Sequence, residues 1–594
     1  MVIGGKDMKV VGVTTCQEIY IGSRSRNFRM NEFLIIQDSY QGDLLGEVVE
    51  AQTYNRYIPL NINGDLADNH VLESLRAIGY DIDEDTIYIA KIRLVNEASY
   101  PVETGSDVRI PEFSEVKDLM IKSSLEEGLI LGEIKNTDQM VKDMDDEFKD
   151  ILYTFENNEL NEQKGIPFIF NLRSMHQYPH IGVFGGSGSG KSFGLRVILE
   201  ELMKLSIPTI VLDPHFEMDF SQEGEYIPKD LRKDFSEKFK CFQVGYHIGV
   251  KFEELSNQDL KNLLESSGRM SDSMNNVVDI LFKTRDSYLS FHESSNRSLS
   301  FKNTRKEIFL NYDKICPYSS VKGIMWRLNR LNNEGIFSKD IREVEENLKM
   351  GKLVVIQGST RILQVFSTYL LNNLYHKRRE YKDAQYKGIA EDYFPPFIIV
   401  TDEAHNFAPK GYESPSKSIL REISQEGRKY GTFLILATQR PTLLDETITA
   451  QLNTKFIFRT VRASDIQTIK EETDITEEES RRLPYLKSGD VFISSAVMGR
   501  TVFVRVRAAD TTSPHIENPF DELVRNKSDD EEKFYDIIKN SIPINEPDII
   551  YIIQDIEKET GITYTVEVFK ERLEKLVQSG RLKKESTPFY DVYR

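Results

Sequence analysis

Between residues 181 and 458 short apolar runs recur at 181–184, 209–212, 353–356, 397–400, 433–436 and 455–458. Runs of this length without polar alternation predict strands buried on both faces. Between them the apolar positions take helical spacing, as in Leu195, Ile198, Leu199 and Leu202. Strands alternating with such helices predict a parallel sheet covered on both sides, an α/β core over residues 176–515. Segments 490–494 and 501–507 predict a hairpin closing the sheet edge. An insertion at about 250–350 reads as helical, with Val321, Ile324, Met325, Leu328 and Leu331 on one helix face.

The pattern changes at both ends. Short β segments at 10–13, 18–21, 32–36, 46–49 and 86–94, broken by Gly, Asn and Asp, predict a small barrel over residues 1–120. Residues 121–175 include an acidic run at 143–150 and a polar run at 157–164, and read as a connecting segment. Residues 529–594 predict three helical stretches (529–540, 546–560, 565–579) and two short strands (582–584, 590–593), the order of a winged-helix-like unit. Residues 571–594 carry six basic and four acidic side chains, which favours a solvated or protein-binding face over a DNA reader.

Composition narrows the class. With 594 residues and 39% apolar content the chain has ample core for several domains. It has no apolar run long enough to span a membrane, and its first residues lack the apolar segment of a secretory signal, so a cytoplasmic location without membrane partners is expected. Cys16, Cys241 and Cys316 lack metal-ligand spacing and offer no zinc site. The net charge of −19 disfavours a surface coated for nonspecific nucleic-acid binding but leaves room for a basic channel.

The chemistry lies in Gly185-Gly186-Ser187-Gly188-Ser189-Gly190-Lys191-Ser192, a phosphate-loop pattern between a buried strand and a helix start. Glycines let backbone N–H groups curl around phosphates, and the helix end adds positive charge. Lys191 is expected to reach the β- and γ-phosphates of ATP, and the Ser192 hydroxyl to ligate Mg²⁺. The run at 397–400 ends in Thr401-Asp402-Glu403. There Asp402 is expected to hold Mg²⁺, partly through water, and Glu403 to polarise the attacking water. Gln439 follows the run at 433–436, where it could sense the γ-phosphate; an ordinary strand-to-loop turn is the alternative.

Taken in order, the phosphate loop, Val211-Leu212-Asp213-Pro214-His215, Asp402-Glu403-Ala404-His405-Asn406-Phe407, Glu426-Gly427-Arg428-Lys429-Tyr430-Gly431 and Ala437-Thr438-Gln439-Arg440-Pro441 resemble the HerA family of the HerA and FtsK group, in its bacterial type. The resemblance runs from the N-terminal barrel to about Arg507. It implies a RecA-like P-loop NTPase core and a homo-hexameric ring that hydrolyses ATP to translocate double-stranded DNA. It also implies a separate partner: a nuclease, a sirtuin-like protein or another effector, in DNA end processing or anti-phage defence. Arg428 matches the arginine that such rings insert into the neighbouring subunit's site, and Arg459 is a second candidate. The chain departs from the family pattern at Phe216, where Gly is common, and at Pro179 before His180, where a basic residue is common. A nucleotide-controlled ring scaffold that holds an effector with little translocation is the alternative function. A membrane-anchored pump of the FtsK or conjugative kind fits less well without a membrane segment.

Overall fold

Eleven strands form the central sheet. The structure is a computed structural model. It describes residues 7–55, 69–80, 85–156, 159–224, 227, 233–265, 268–291, 301–311, 314, 316–514 and 531–594. The chain divides into two units, Met1–Ser513 and Pro514–Arg594.

The first unit opens with a closed barrel of β1 (Lys9–Val11), β2 (Glu18–Ser23), β3 (Phe33–Asp38), β4 (Gly42–Asn55), β5 (Thr86–Leu94) and β6 (Asp107–Arg109). Alternation puts Ile19, Ile21, Leu34, Ile36, Val48 and Ile92 inside. The expected first strand stops at Val11, and Val13 is exposed. The closing strand β6, which pairs with both β1 and β3, is too short to show a periodicity of its own.

The sheet's strands are β7 (Leu129–Ile134), β10 (Pro167–Phe170), β11 (Ile181–Phe184), β12 (Thr209–Asp213), β13 (Phe239–Gln243), β14 (Leu353–Gln357), β15 (Phe397–Thr401), β16 (Thr432–Thr438), β17 (Thr454–Ile457), β18 (Asp490–Ser495) and β19 (Arg500–Val506), and they lie in the order β10-β7-β19-β18-β17-β11-β16-β15-β12-β14-β13. From β13 to β17 every neighbour is parallel, and beyond β17 pairing is antiparallel. Successive side chains point to opposite faces and build two cores. Ile210, Leu212, Val354, Ile356, Phe397 and Ile399 join one; Val211, Leu353, Val355, Ile398 and Val400 join the other. The helix Lys191–Lys204 covers the second core through Leu195, Ile198, Leu199 and Leu202. The helices Thr360–Lys387 and Lys417–Tyr430 cover the first, together with the helical insertion.

Two expectations are corrected here. Residues 121–175 are not merely a connection, because they supply β7 and β10 to the sheet, with a separate ribbon of β8 (Tyr153–Glu156) and β9 (Glu159–Glu162) between. The hairpin β18–β19 therefore does not close the sheet, and β10 forms that edge. Gly132 allows this extension, since a Cβ there would come within 2.0 Å of the Arg505 carbonyl oxygen on β19. The opposite edge is β13, whose sequence lacks the continuous apolar run of the inner strands.

In the second unit residues 531–538 are helical, and the helices Ile549–Thr560 and Val566–Gln578 follow. A three-stranded sheet of β20 (Ile544–Asn545), β22 (Asp591–Tyr593) and β21 (Lys584–Ser586) completes the winged-helix-like arrangement. The expected helix start at Asp529 lies outside the described residues. Phe534, Ile538, Phe569, Leu573 and Leu576 form its own core. No helix among the described residues is long and apolar enough to cross a membrane.

Candidate nucleotide site

The strand order decides which residues meet. β16 lies between β11 and β15, so the phosphate loop after β11 and the Asp402-Glu403 pair after β15 flank the end of β16. All three segments leave their strands at the same, C-terminal edge of the parallel sheet, where crevices form in such folds.

The loop is tied to its neighbours by backbone bonds. Gly185 N–H donates to Thr438 O at 3.3 Å, and Gly186 N–H donates to Arg459 O at 2.9 Å. From β18's side, Gly489 N–H donates to Ser189 O at 3.1 Å. Gly190 has φ of 91°, and a Cβ there would sit 2.6 Å from Gly489 N. A side chain at 190 would therefore suffer both left-handed strain and a backbone clash.

Phosphate fits this loop on two observations. The N–H groups of Lys191, Ser192 and Phe193 begin a helix and have no intrahelical acceptor. The Ser189 hydroxyl is buried and has no hydrogen-bond partner among the described residues. Below the loop the helix is anchored by a buried charge cluster. The Arg507 guanidinium donates to Glu200 at 2.9 Å and Glu201 at 2.8 Å, and Glu200 accepts from Asp510 N and Thr511 N.

Lys191, Asp402 and Glu403 are all buried, at 4%, 6% and 8% exposure. Lys191 Nζ donates to Asp402 Oδ1 and lies 3.8 Å from Glu403 Oε1. Buried charges need such pairing. The Asp402 carboxylate and the Ser192 hydroxyl are oxygen donors of the kind Mg²⁺ takes. Glu403 has φ of 49°, an uncommon left-handed conformation for a non-glycine residue, and its N–H donates to Asp402 Oδ1 at 2.8 Å.

Two side chains to which the sequence reading gave no role hold Glu403 in place. His405 Nδ1 lies 3.3 Å from Glu403 Oε2 and 2.9 Å from the Thr438 hydroxyl. Burial lowers the His405 pKa, against the opposing charge of Glu403, so the ring is neutral at pH 7. The hydrogen bond of Nδ1 is with the Thr438 hydroxyl, and Glu403 lies beside it as an acceptor within ion-pair distance. The Gln439 backbone N–H approaches the same carboxylate oxygen at 3.5 Å, and its side chain is exposed. Arg459 extends Nη2 to within 3.5 Å of Gly188 O, over the tip of its own chain's loop.

Arg428 is elsewhere. It lies in the last turn of the helix Lys417–Tyr430, which leads into the start of β16. Its Nη1 donates to Gln177 O at 3.4 Å, just ahead of β11. That is the N-terminal edge of the sheet; the four residues of β11, at about 3.3 Å each, separate it from the loop. Among the described residues Arg428 has no carboxylate partner, so it is not the surface ion pair that a helix position invites.

The same edge holds His180, fully buried with φ of 67°. Its Nδ1 accepts from Leu434 N–H and its Nε2 meets Ser424 O, each at 3.0 Å. Burial lowers its pKa to about 4, so it is neutral and Nε2 donates. It clamps the Arg428 helix to β16. The other departure from the family pattern, Phe216, has φ of 58°, a conformation that favours glycine. Asp213, in the same resembling segment, accepts from the N–H groups of His215, Glu217 and Met218 and shapes the turn after β12.

A phosphate loop, a paired acidic strand end and an intervening strand define a P-loop NTPase. Residues 156–374 match the family model "Helicase HerA, central domain". Over these residues the chain resembles the HerA-like family. It is 23% identical over 359 residues to a probable helicase of Methanocaldococcus jannaschii (56% of this chain, 66% of that one). It is 27% identical over 328 residues to the DNA double-strand break repair helicase HerA of Pyrococcus furiosus (48% and 57%). It is 22% identical over 352 residues to the HerA helicase of Saccharolobus solfataricus (58% and 66%). The chain thus spans just under two thirds of the length of two of these relatives and 57% of the third. Among solved structures, the conjugative coupling protein TrwB aligns at 12% identity and TM-score 0.41 over 68% of this chain and 93% of its own. VirB4 of Thermoanaerobacter pseudethanolicus aligns at 12% and 0.42 over 61% and 97%.

Proposed function

We infer that the chain is an ATP-driven double-stranded DNA translocase, working as a homo-hexameric ring beside a separate effector. The observation that carries this reading is the division of residues between the two edges of the sheet. Lys191, Ser192, Asp402, Glu403 and Arg459 gather at one edge, whereas Arg428 stands at the other and cannot reach that site within its own chain. A catalytic Arg428 therefore requires a neighbouring copy, as a ring supplies.

ATP in the loop would supply the phosphoanhydride, and Mg²⁺, which Ser192 and Asp402 would hold, would supply charge neutralisation. Lys191 would leave its carboxylate partners for the terminal phosphates. Glu403, oriented by His405 and by the Gln439 backbone, would accept a proton from the attacking water. Gln439 would report the state of the site to the loop after β16. Arg428 from the next subunit would neutralise charge on the transferring group.

The overall acidity of the chain favours the second reading, a nucleotide-controlled scaffold for an effector. The two are separated by ATP turnover with and without duplex DNA across a salt series. The translocase reading expects strong stimulation that falls steeply with salt, because phosphate contacts release counterions. Turnover indifferent to duplex DNA supports the scaffold.

A further inference from the structure

The helix Tyr318–Asn333 buries Val321, Ile324, Leu328 and Leu331 against the insertion's core. Its opposite face carries Tyr318, Lys322, Trp326 and Arg330, each one turn above the last, so ring and cation alternate. Both rings are well exposed, Tyr318 at 60% and Trp326 at 52%. The cations already lie close to them. Lys322 Nζ is 5.9 Å from the Tyr318 ring centroid, and Arg330 and Arg327 are 5.3 and 6.0 Å from that of Trp326. Residues 301–333 hold seven Lys and Arg against two Asp and Glu, in a chain whose net charge is −19. This local reversal of charge, in which only Arg330 of the named face's two cations has a carboxylate close by among the described residues, Glu334 at 3.6 Å, matches a polyanion as occupant.

We propose that this face binds single-stranded nucleic acid. A duplex presents phosphates to a surface helix and keeps its bases stacked inside, so it would bring no base face to the two rings. A single strand offers both phosphates for Lys322 and Arg330 and base faces for Tyr318 and Trp326. The rings lie about 12 Å apart along the helix axis, within the span of a few unstacked nucleotides. This inference is independent of the ATPase assignment and is tested without nucleotide.

Trp326 is the only tryptophan of the chain, so intrinsic emission reads this face alone. The full chain is titrated at low salt with an oligothymidylate carrying a fluorophore for anisotropy, and separately with a duplex of equal length. The expected result is quenching of tryptophan emission that tracks the anisotropy of the single strand, with little quenching by the duplex. Trp326→Ala should weaken single-strand binding about tenfold, within the range for loss of one base stack. Trp326→Phe should retain it within about twofold, and Lys322→Gln with Arg330→Gln should weaken it and flatten its salt dependence. These side chains are on the surface, so the variants are expected to fold; a circular dichroism spectrum matching wild type verifies it. Single-strand binding without quenching, equal quenching by duplex, unchanged affinity in Trp326→Ala, or no binding of the oligothymidylate would each overturn the proposal.

Discussion

The two edges of the parallel sheet differ in kind. At the C-terminal edge three charged side chains are packed below 9% exposure around a loop rich in glycine, and Glu403 is held in an unfavourable backbone conformation. At the N-terminal edge the buried polar group is a neutral imidazole with both nitrogens bonded to backbone, and the charged group, Arg428, is exposed. The first edge is poised to react. The second is built to hold one helix in place so that its arginine faces outward. On the proposed function, the sheet carries complementary halves of an active site, back to back, for a neighbouring copy to join.

The largest effects should come from the reactive edge. Glu403→Gln should lower ATP turnover by about 10² to 10⁴-fold, the range for a lost general base, while leaving nucleotide affinity near wild type. Lys191→Ala should lose affinity as well, and equilibrium binding of a fluorescent ATP analogue separates the two. Normal turnover in Glu403→Gln would remove Glu403 from catalysis.

The supporting edge should respond in stability and in pH. His180→Asn removes a ring whose folded pKa, about 4, lies below the ordinary histidine value. Protonation is therefore favoured in the unfolded chain. His180's contribution is fully present above about pH 6.5 and is lost as pH falls toward 4, on the order of 3 kcal/mol in all. The melting-temperature gap between wild type and His180→Asn should accordingly narrow from pH 7.5 to pH 4.5. A gap independent of pH would mean that the imidazole titrates as if exposed.

The smallest effect concerns Phe216, whose ring is 38% exposed and whose φ is 58°. Phe216→Gly relieves left-handed strain at the cost of chain entropy, for a net gain of up to about 1 kcal/mol. A lowered melting temperature would show that the ring's packing outweighs the strain.

Much of the reactive edge was legible because its chemistry is local in sequence. Gly185–Ser192 and Thr401-Asp402-Glu403 each sit at the end of a continuous apolar run, and those runs need no partner to be recognised. The barrel and the winged-helix-like unit were legible for the same reason. What escaped depends on pairing between distant segments. β7 reads Leu-Ile-Leu-Gly-Glu-Ile, and its glycine, which breaks a strand pattern in isolation, makes sense only beside Arg505 of β19. β13 is an edge strand, Phe-Lys-Cys-Phe-Gln, whose charge obscures its period. His180 lies 244 residues from Ser424 and 254 from Leu434, so nothing near it in sequence announces its clamp. The role of His405 likewise needs Thr438 from the next strand.

The division between the edges is tested most directly by mixing two inactive proteins. Arg428→Ala subunits keep an intact Glu403, and Glu403→Gln subunits keep an intact Arg428, so mixed rings contain some interfaces that join both. ATP turnover is measured on each variant alone and on the mixture, with native mass spectrometry establishing that subunits exchange and wild-type doping measuring how many sites must fire together. The account predicts that each variant alone is nearly inactive and that the mixture recovers turnover. Freely mixed rings that stay inactive, while wild-type doping shows activity lost in simple proportion, would contradict it.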